Sequence, residues 1–208
     1  QGIADPIIPI YTSERFAAEL EIFRKWVLQD LIGVTTLPFD DITDFLVSTC
    51  DTQPKVTIHR DFHCRNLLLK PDGAIGAVDF QDALVGPMSY DLASILYDCY
   101  YQFSNATIST SIAQYLQLAG EAGLSTTDDE GEFTRVLEIT AVQRQLKAVG
   151  IFARLKLQQD RGSHLENIVP VMSRVCELMM KHQELVPCAE WLKGGVLRPV
   201  RDAVGRLQ

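Results

Sequence analysis

Apolar residues recur at helical spacing along most of the chain, and the pattern breaks once. Phe16, Leu20, Phe23 and Val27 follow at intervals of four, three and four, one face of an amphipathic helix. Thr12 or Ser13 caps it, Glu14 lies in its first turn, and Trp26 beside the stripe reads as core. The stretch from Gly33 to Pro38 ends this helix. Asp40 or Asp41 then caps another that turns Ile42, Phe45 and Leu46 inward. Further on, Ser89 caps a helix from Tyr90 to about Gln102 that buries Leu92, Ile95, Leu96 and Cys99. A helix opening at Thr107 or Ser109 buries Ile112, Tyr115, Leu116 and Ala119 and weakens at Gly120 and Gly123. The most sustained period is Val136, Ile139, Val142, Leu146, Val149, Phe152 and Leu155, which predicts a long helix over about 132–158. Arg161-Gly162-Ser163 stops it. A last long helix is expected over about 167–186, with Pro170 tolerated in its first turn. Residues 1–11 read as extended and Ser125 to Glu130 as an acidic, solvated loop. A short helix around Glu190 to Lys193 and a loose tail close the chain.

The break lies between the second and third helices. An apolar run, Val56 to Ile58, leads into a polar loop holding Asp61 and Asn66. A second run continues to Lys70, Pro71-Asp72-Gly73 signals a turn, and a third run, Ile75 to Val78, delivers Asp79. The pattern predicts short strands and a hairpin that gathers Asp61, Asn66 and Asp79 at one end. Gln81 to Pro87 reads as a loop. The fold class expected is mainly α (α+β), helical with a small β-hairpin.

Composition narrows the classes. A chain of 208 residues suits one domain or one large lobe, and an apolar share of 47% is ordinary for a soluble globular protein. A net charge of −8 argues against nucleic acid or an anionic membrane as partner. No run is long enough to span a bilayer, and the start shows no signal-peptide pattern. Cysteines 50, 64, 99, 176 and 188 form no C-x-x-C pair, which points to reduced thiols in the cytoplasm. The four histidines lack metal-ligand spacing, so zinc is not expected. The chain opens at Gln1 rather than a methionine, so its beginning reads as trimmed or processed.

Singly, Asp61 and Asn66 can be turn caps and Asp79 a strand end. Together, His59-Arg60-Asp61 with Asn66 five residues on, then Asp79-Phe80, give the order of a kinase catalytic loop and metal loop. Phosphoryl transfer from ATP needs an acceptor hydroxyl held in line, a group to take its proton, and Mg²⁺ on the phosphates. Asp61 can take the proton. The Asn66 carbonyl oxygen and the Asp79 carboxylate can bind Mg²⁺, which accepts few protein ligands.

The loop resembles the aminoglycoside phosphotransferase family more than the protein kinases. That family has H-x-D-x-H-x-x-N, matched by His59, Asp61, His63 and Asn66, then a run like Gly86-Pro87-Met88-Ser89-Tyr90-Asp91-Leu92. Three stretches resemble its anomeric kinases of N-acetylmuramate and N-acetylglucosamine: residues 59–66, Asp98-Cys99-Tyr100, and Gln143 through Leu155. The resemblance implies a kinase-like C-terminal lobe using ATP and Mg²⁺ on a small amino sugar. It gives Asp61 as base, Asn66 and Asp79 as metal ligands, and His59 and Asp91 as structural support. For Asp91, helix capping is the simpler reading. Arg65, Gln143 and Arg144 are candidates for the acceptor pocket, where an arginine would suit a sugar carboxylate. Structurally, Arg144 and Lys147 are most simply solvent-facing residues of a helix. A polycationic aminoglycoside would instead need acidic side chains, and the run Thr126 to Glu130 reads as a solvated loop.

No G-x-G-x-x-G and no strand V-A-I-K occurs, and Lys55 stands in the wrong order for the phosphate lysine. The nucleotide lobe is therefore expected to be absent from this chain. An unusually apolar surface is expected near the catalytic loop and the first helix, where that lobe would sit. The alternatives are an aminoglycoside or other small-molecule kinase, and a non-catalytic kinase-like binding module.

Overall fold

The most periodic stretch becomes α5 (Glu130–Gln159), a helix of 30 residues around which the others pack. A computed structural model of the chain describes residues 8–35, 39–124 and 129–208. The Asp129 carboxylate caps α5, accepting from the amides of Gly131 and Glu132 at 2.8 and 3.2 Å. Asp160 ends it in the left-handed conformation, φ 53°. Against α5 lie α1 (Ser13–Phe23), α2 (Asp40–Asp51), α3 (Tyr90–Leu96) and α6 (Leu165–Met179). The expected stripe of α1 is buried, with Val27 carried inward by π-helical turns over Arg24–Gln29. The α1–α5 contact is made backbone to backbone. A Cβ on Gly150 would stand 2.7 Å from the amide nitrogen of Phe23.

Two strand pairs stand beside this bundle. The hairpin is as expected: β2 (Leu67–Leu69) pairs antiparallel with β3 (Ile75–Ala77), with Gly73 at φ 83° in the turn. The strand leading into the Asp61 loop, β1 (Lys55–Ile58), joins a different partner, β4 (Leu84–Pro87). That corrects the loop expected over Gln81 to Pro87. Gly86 and Pro87 read as turn residues, but Pro87 ends the strand, where a missing N–H is tolerated. Ile10 adds a parallel bridge to Val85.

Other boundaries also move. The helix expected to reach Gln102 stops at Leu96, because Asp98 turns its carboxylate back onto the amide of Tyr100. The next, α4 (Asn105–Glu121), starts earlier than expected, with the Ser104 hydroxyl accepting from the Thr107 amide. Phe39 rather than an aspartate stands at the N-cap of α2. Pro170 lies in the second turn of α6, which begins at Leu165. The expected loose tail is helical: α7 (Val186–Trp191) and α8 (Leu197–Leu207) join through π-helical turns and bury Val196, Val200 and Val204. The extended reading of residues 1–7, the helix break at 36–38 and most of the acidic loop, 125–128, lie outside the described residues. All five cysteines are free thiols. Among the described residues no helix is long and apolar enough to cross a membrane. The architecture is mainly helical with small antiparallel strand pairs, in keeping with a kinase-like C-terminal lobe.

Candidate active site

The loop after β1 is held from three sides. The first is α3: both oxygens of Asp91 accept from the loop, at 2.6 Å from the His59 amide and 3.0 Å from the Arg60 amide. Burial pushes the Asp91 carboxyl above its ordinary value, while these two N–H groups pull it back. The second is the segment after α3, where Asp98 accepts from the Cys64 amide at 2.8 Å. The third is the hairpin. The Nε2–H of His59 donates to the Val78 carbonyl at 3.0 Å, which fixes the tautomer of that ring. Between these anchors Arg60 sits at φ 75°, a conformation costly for a residue with a Cβ.

A buried carboxylate helps hold Arg60 there. Glu19, inside α1, lies 2.8 Å from both the Arg60 guanidinium and the Lys147 ammonium. It also accepts from the Tyr11 hydroxyl, and from Gln143 at 3.4 Å. Burial pushes the Glu19 carboxyl up, but Lys147, Tyr11 and Arg60 outweigh it and leave it below the ordinary value. Sequence reasoning missed Glu19 altogether. The available signal was a carboxylate beside the apolar stripe of α1 and a lysine beside that of α5.

Asn66 and Asp79 meet at the open end of the hairpin. The Asn66 Nδ2 donates to the Asp61 carbonyl at 3.0 Å and lies 3.5 Å from Asp79 Oδ2. Its amide oxygen remains as an acceptor. Asp79 takes φ 70°, and its other oxygen accepts from Gln81 at 2.6 Å. One carboxylate and one amide oxygen suit a hard cation such as Mg²⁺, which keeps several waters. Among the described residues no three His, Cys, Asp or Glu side chains converge, and none need do so for Mg²⁺.

Asp61, His63, Asn66 and Asp79 open onto one cleft of about 290 Å³, whose opposite wall is α5. Arg144 lines it, 6% exposed, with Nε and one terminal nitrogen lacking any partner. Lys147 lines it too, 9% exposed and paired with Glu19. Neither is solvent-facing. Other helices cover α5 on several sides, so residues between its apolar positions are buried as well. Gln143 does not line the cleft; it is buried and turned toward Glu19. Arg65 is exposed at the rim, its guanidinium 3.8 Å from the centre of the Tyr100 ring and 3.2 Å from His164 Nδ1. Tyr100, Phe152 and His164 complete the wall, with Phe152 and His164 stacked at 4.9 Å. Burial, with the charge of Arg144, keeps His63 below its ordinary pKa. The ring therefore faces the cleft uncharged near neutral pH.

The sequence pattern of the phosphotransferase enzyme family matches residues 13–129. An N-acetylmuramate/N-acetylglucosamine kinase of Neisseria meningitidis serogroup B is 34% identical over 187 residues, 87% of this chain and 55% of its own. Kinases of the same name from Pseudomonas aeruginosa and Pseudomonas putida are 30% and 28% identical, over 89% of this chain and 56% of theirs. The chain spans about half the length of the curated relatives it matches.

Proposed function

The chain belongs to the phosphotransferase enzyme family, and on that premise we propose that it forms the acceptor side of an ATP-dependent sugar kinase. The phosphoryl group would go to a hydroxyl of an amino sugar of the N-acetylmuramate or N-acetylglucosamine type. The observation that carries this reading is one cleft with Asp61, Asn66 and Asp79 on one wall and Arg144 on the other, two of its guanidinium nitrogens without a partner. Asp61 would accept the hydroxyl proton as the acceptor oxygen attacks the γ-phosphorus. Asn66 and Asp79 would hold Mg²⁺, which neutralises phosphate charge when bound. Arg144 would take the acceptor's carboxylate or acyl oxygen, and Arg65 stands at the rim where a longer acceptor would pass. His59 and Asp91 would keep the loop in place.

A nucleotide-covering lobe is part of this proposal. The hairpin leaves Leu69 79% and its cross-strand partner Ile75 69% exposed, and Phe80 after it 68%, apolar surface suited to a second lobe. Names of the relatives favour amino sugars. The alternatives, an aminoglycoside kinase and a non-catalytic module, have no acidic residue of α5 lining the cleft and no loss of Asp61, Asn66 or Asp79 to support them.

The test uses the longest natural protein that contains this chain. N-acetylmuramate, N-acetylglucosamine and kanamycin are offered with Mg²⁺–ATP. Phosphorylation of the amino sugars is expected, with Asp61→Asn losing about 10²–10⁴ of the rate while keeping its fold. Arg144→Met should raise KM for N-acetylmuramate more than for N-acetylglucosamine. Turnover of kanamycin alone, or near-normal turnover in Asp61→Asn, overturns the reading.

A further inference from the structure

We infer that a second small-molecule site lies across Asp98 from the cleft, built for a ring compound carrying one carboxylate and one hydroxyl or N–H donor. A cavity of about 220 Å³ opens there, bounded by Tyr97, Tyr101, Phe103, Gln145, Arg174 and Leu178. Its size suits a single six-membered ring with its substituents.

Two polar side chains line it with bonding capacity unused. Gln145 is 2% exposed, and its Nε2 donates to the Tyr97 carbonyl at 2.8 Å. That bond fixes the amide, because the reverse orientation would set two carbonyl oxygens face to face. Its Oε1 is then a buried acceptor with no donor. Leaving such a group unpaired is unfavourable, and a ligand hydroxyl or N–H would satisfy it. Arg174 reaches across with one terminal nitrogen, 3.4 Å from the Asp98 carbonyl and 3.2 Å from that of Cys99. Its charge meets two backbone oxygens rather than a carboxylate. The other charges at the cavity are already engaged or solvated. The Asp98 carboxylate accepts from the amides of Cys64 and Tyr100, Lys181 lies 2.5 Å from Glu138, and Glu177 is exposed. A ligand carboxylate is the missing counterpart of Arg174. Tyr101 and Phe103, edge to face at 4.7 Å, present ring surface beside Leu178 for the body of the ligand.

The two cavities share a wall. Asp98 lines both. Its carboxylate anchors the Cys64 amide of the catalytic loop, while its carbonyl receives Arg174. An occupant that draws Arg174 toward itself thus acts on the segment that holds the catalytic loop. This site reports to the first one through a single residue, which makes it regulatory in kind.

The test is an amide-shift titration of the isotope-labelled 208-residue chain. The probes are 3-hydroxybenzoate, 4-hydroxybenzoate and glucuronate, with benzyl alcohol as the uncharged control. Saturable shifts are expected over residues 96–103, at Gln145 and over 174–178, with the Cys64 amide moving in step. Arg174→Met should weaken the acids at least about tenfold, the loss of one charge-assisted pair. Gln145→Leu should weaken the hydroxybenzoates and spare benzoate, titrated alongside them as the acid with no donor for Oε1. Shifts confined to His63, Phe152 and His164, the absence of saturation, or unchanged affinity in Arg174→Met overturns the site. Saturation at the cavity with a stationary Cys64 amide overturns the coupling.

Discussion

Asp61 and Asp79 face the same cleft from ground of opposite kinds. Behind Asp61 the loop is tied to buried helices: to α3 through Asp91, to the segment after α3 through Asp98, and to α1 and α5 through Glu19. Asp79 stands at the end of a hairpin of three-residue strands whose outward side chains are largely exposed. Its carboxylate is held by the exposed Gln81 and approached by Asn66, which lines the cleft. The half of the cleft around Asp61 is organised by burial within this chain. The half around Asp79 takes its order from local hydrogen bonds.

The contrast breaks most visibly at Glu19. Removing its carboxylate in Glu19→Ala leaves Lys147 charged in the interior and frees Arg60 from its anchor. Loss of one partner of a buried ion pair costs about 3–5 kcal/mol. Urea unfolding should show that loss, with the midpoint falling and the slope unchanged. A loss under about 1 kcal/mol would mean that solvent reaches this network.

Asp91→Ala should cost less, about 1–3 kcal/mol, because it leaves the His59 and Arg60 amides without an acceptor. Hydrogen exchange distinguishes this from general weakening: the amides of residues 59–64 should open while those of α5 stay protected. Uniform acceleration across both would deny Asp91 a specific hold on the loop.

Acid tests the same network more gently. Glu19 is below its ordinary value when folded, so its contribution is complete above the ordinary glutamate range. It is lost as pH falls through the folded value. Glu138, held down against its own burial by His182 and Lys181, acts in the same direction. Asp91, raised by burial, acts in the opposite one. Thermal midpoints should therefore decline below about pH 4–5, and Glu19→Gln should flatten that decline. An equally steep decline in the variant would assign it to other carboxylates.

The hairpin gives the smallest effect. Leu69→Ser on its exposed face should change stability by no more than about 0.5 kcal/mol. It should also reduce any self-association of the chain seen by light scattering. A larger loss of stability would show that the face is already packed.

What the sequence made legible follows the same division. The polar loop and the hairpin could be read because their side chains lie close together in the chain and the turn residues are strong. The hairpin brings Asn66 and Asp79 to one place beside Asp61. Of the support behind them, His59 and Asp91 came only with the family resemblance, and Glu19 with Lys147 could not be read, since they lie far from the loop in sequence. Glu19 looked like an ordinary polar position beside a stripe, and Lys147 like one on a solvated face. Both inferences rest on a helix having one buried side, and α5 is enclosed over Ala141 to Lys147. Likewise β4 was hidden by a glycine and a proline whose roles are set by β1.

The close contact at Gly150 also bears on how the molecule is made. Residues of α1 meet partners on α5 as much as 128 positions further along, as Glu19 meets Lys147. At roughly 5–20 residues per second, synthesis separates the two by about 6–25 s. Through that interval Phe16, Leu20, Phe23 and Val27 have no surface on α5 to bury against. The emerging chain carries an apolar stripe in the open, a natural target for chaperones that shield nascent chains. Gly150 then sets a late checkpoint: any side chain there would meet the backbone of Ile22 and Phe23 just as the helix docks.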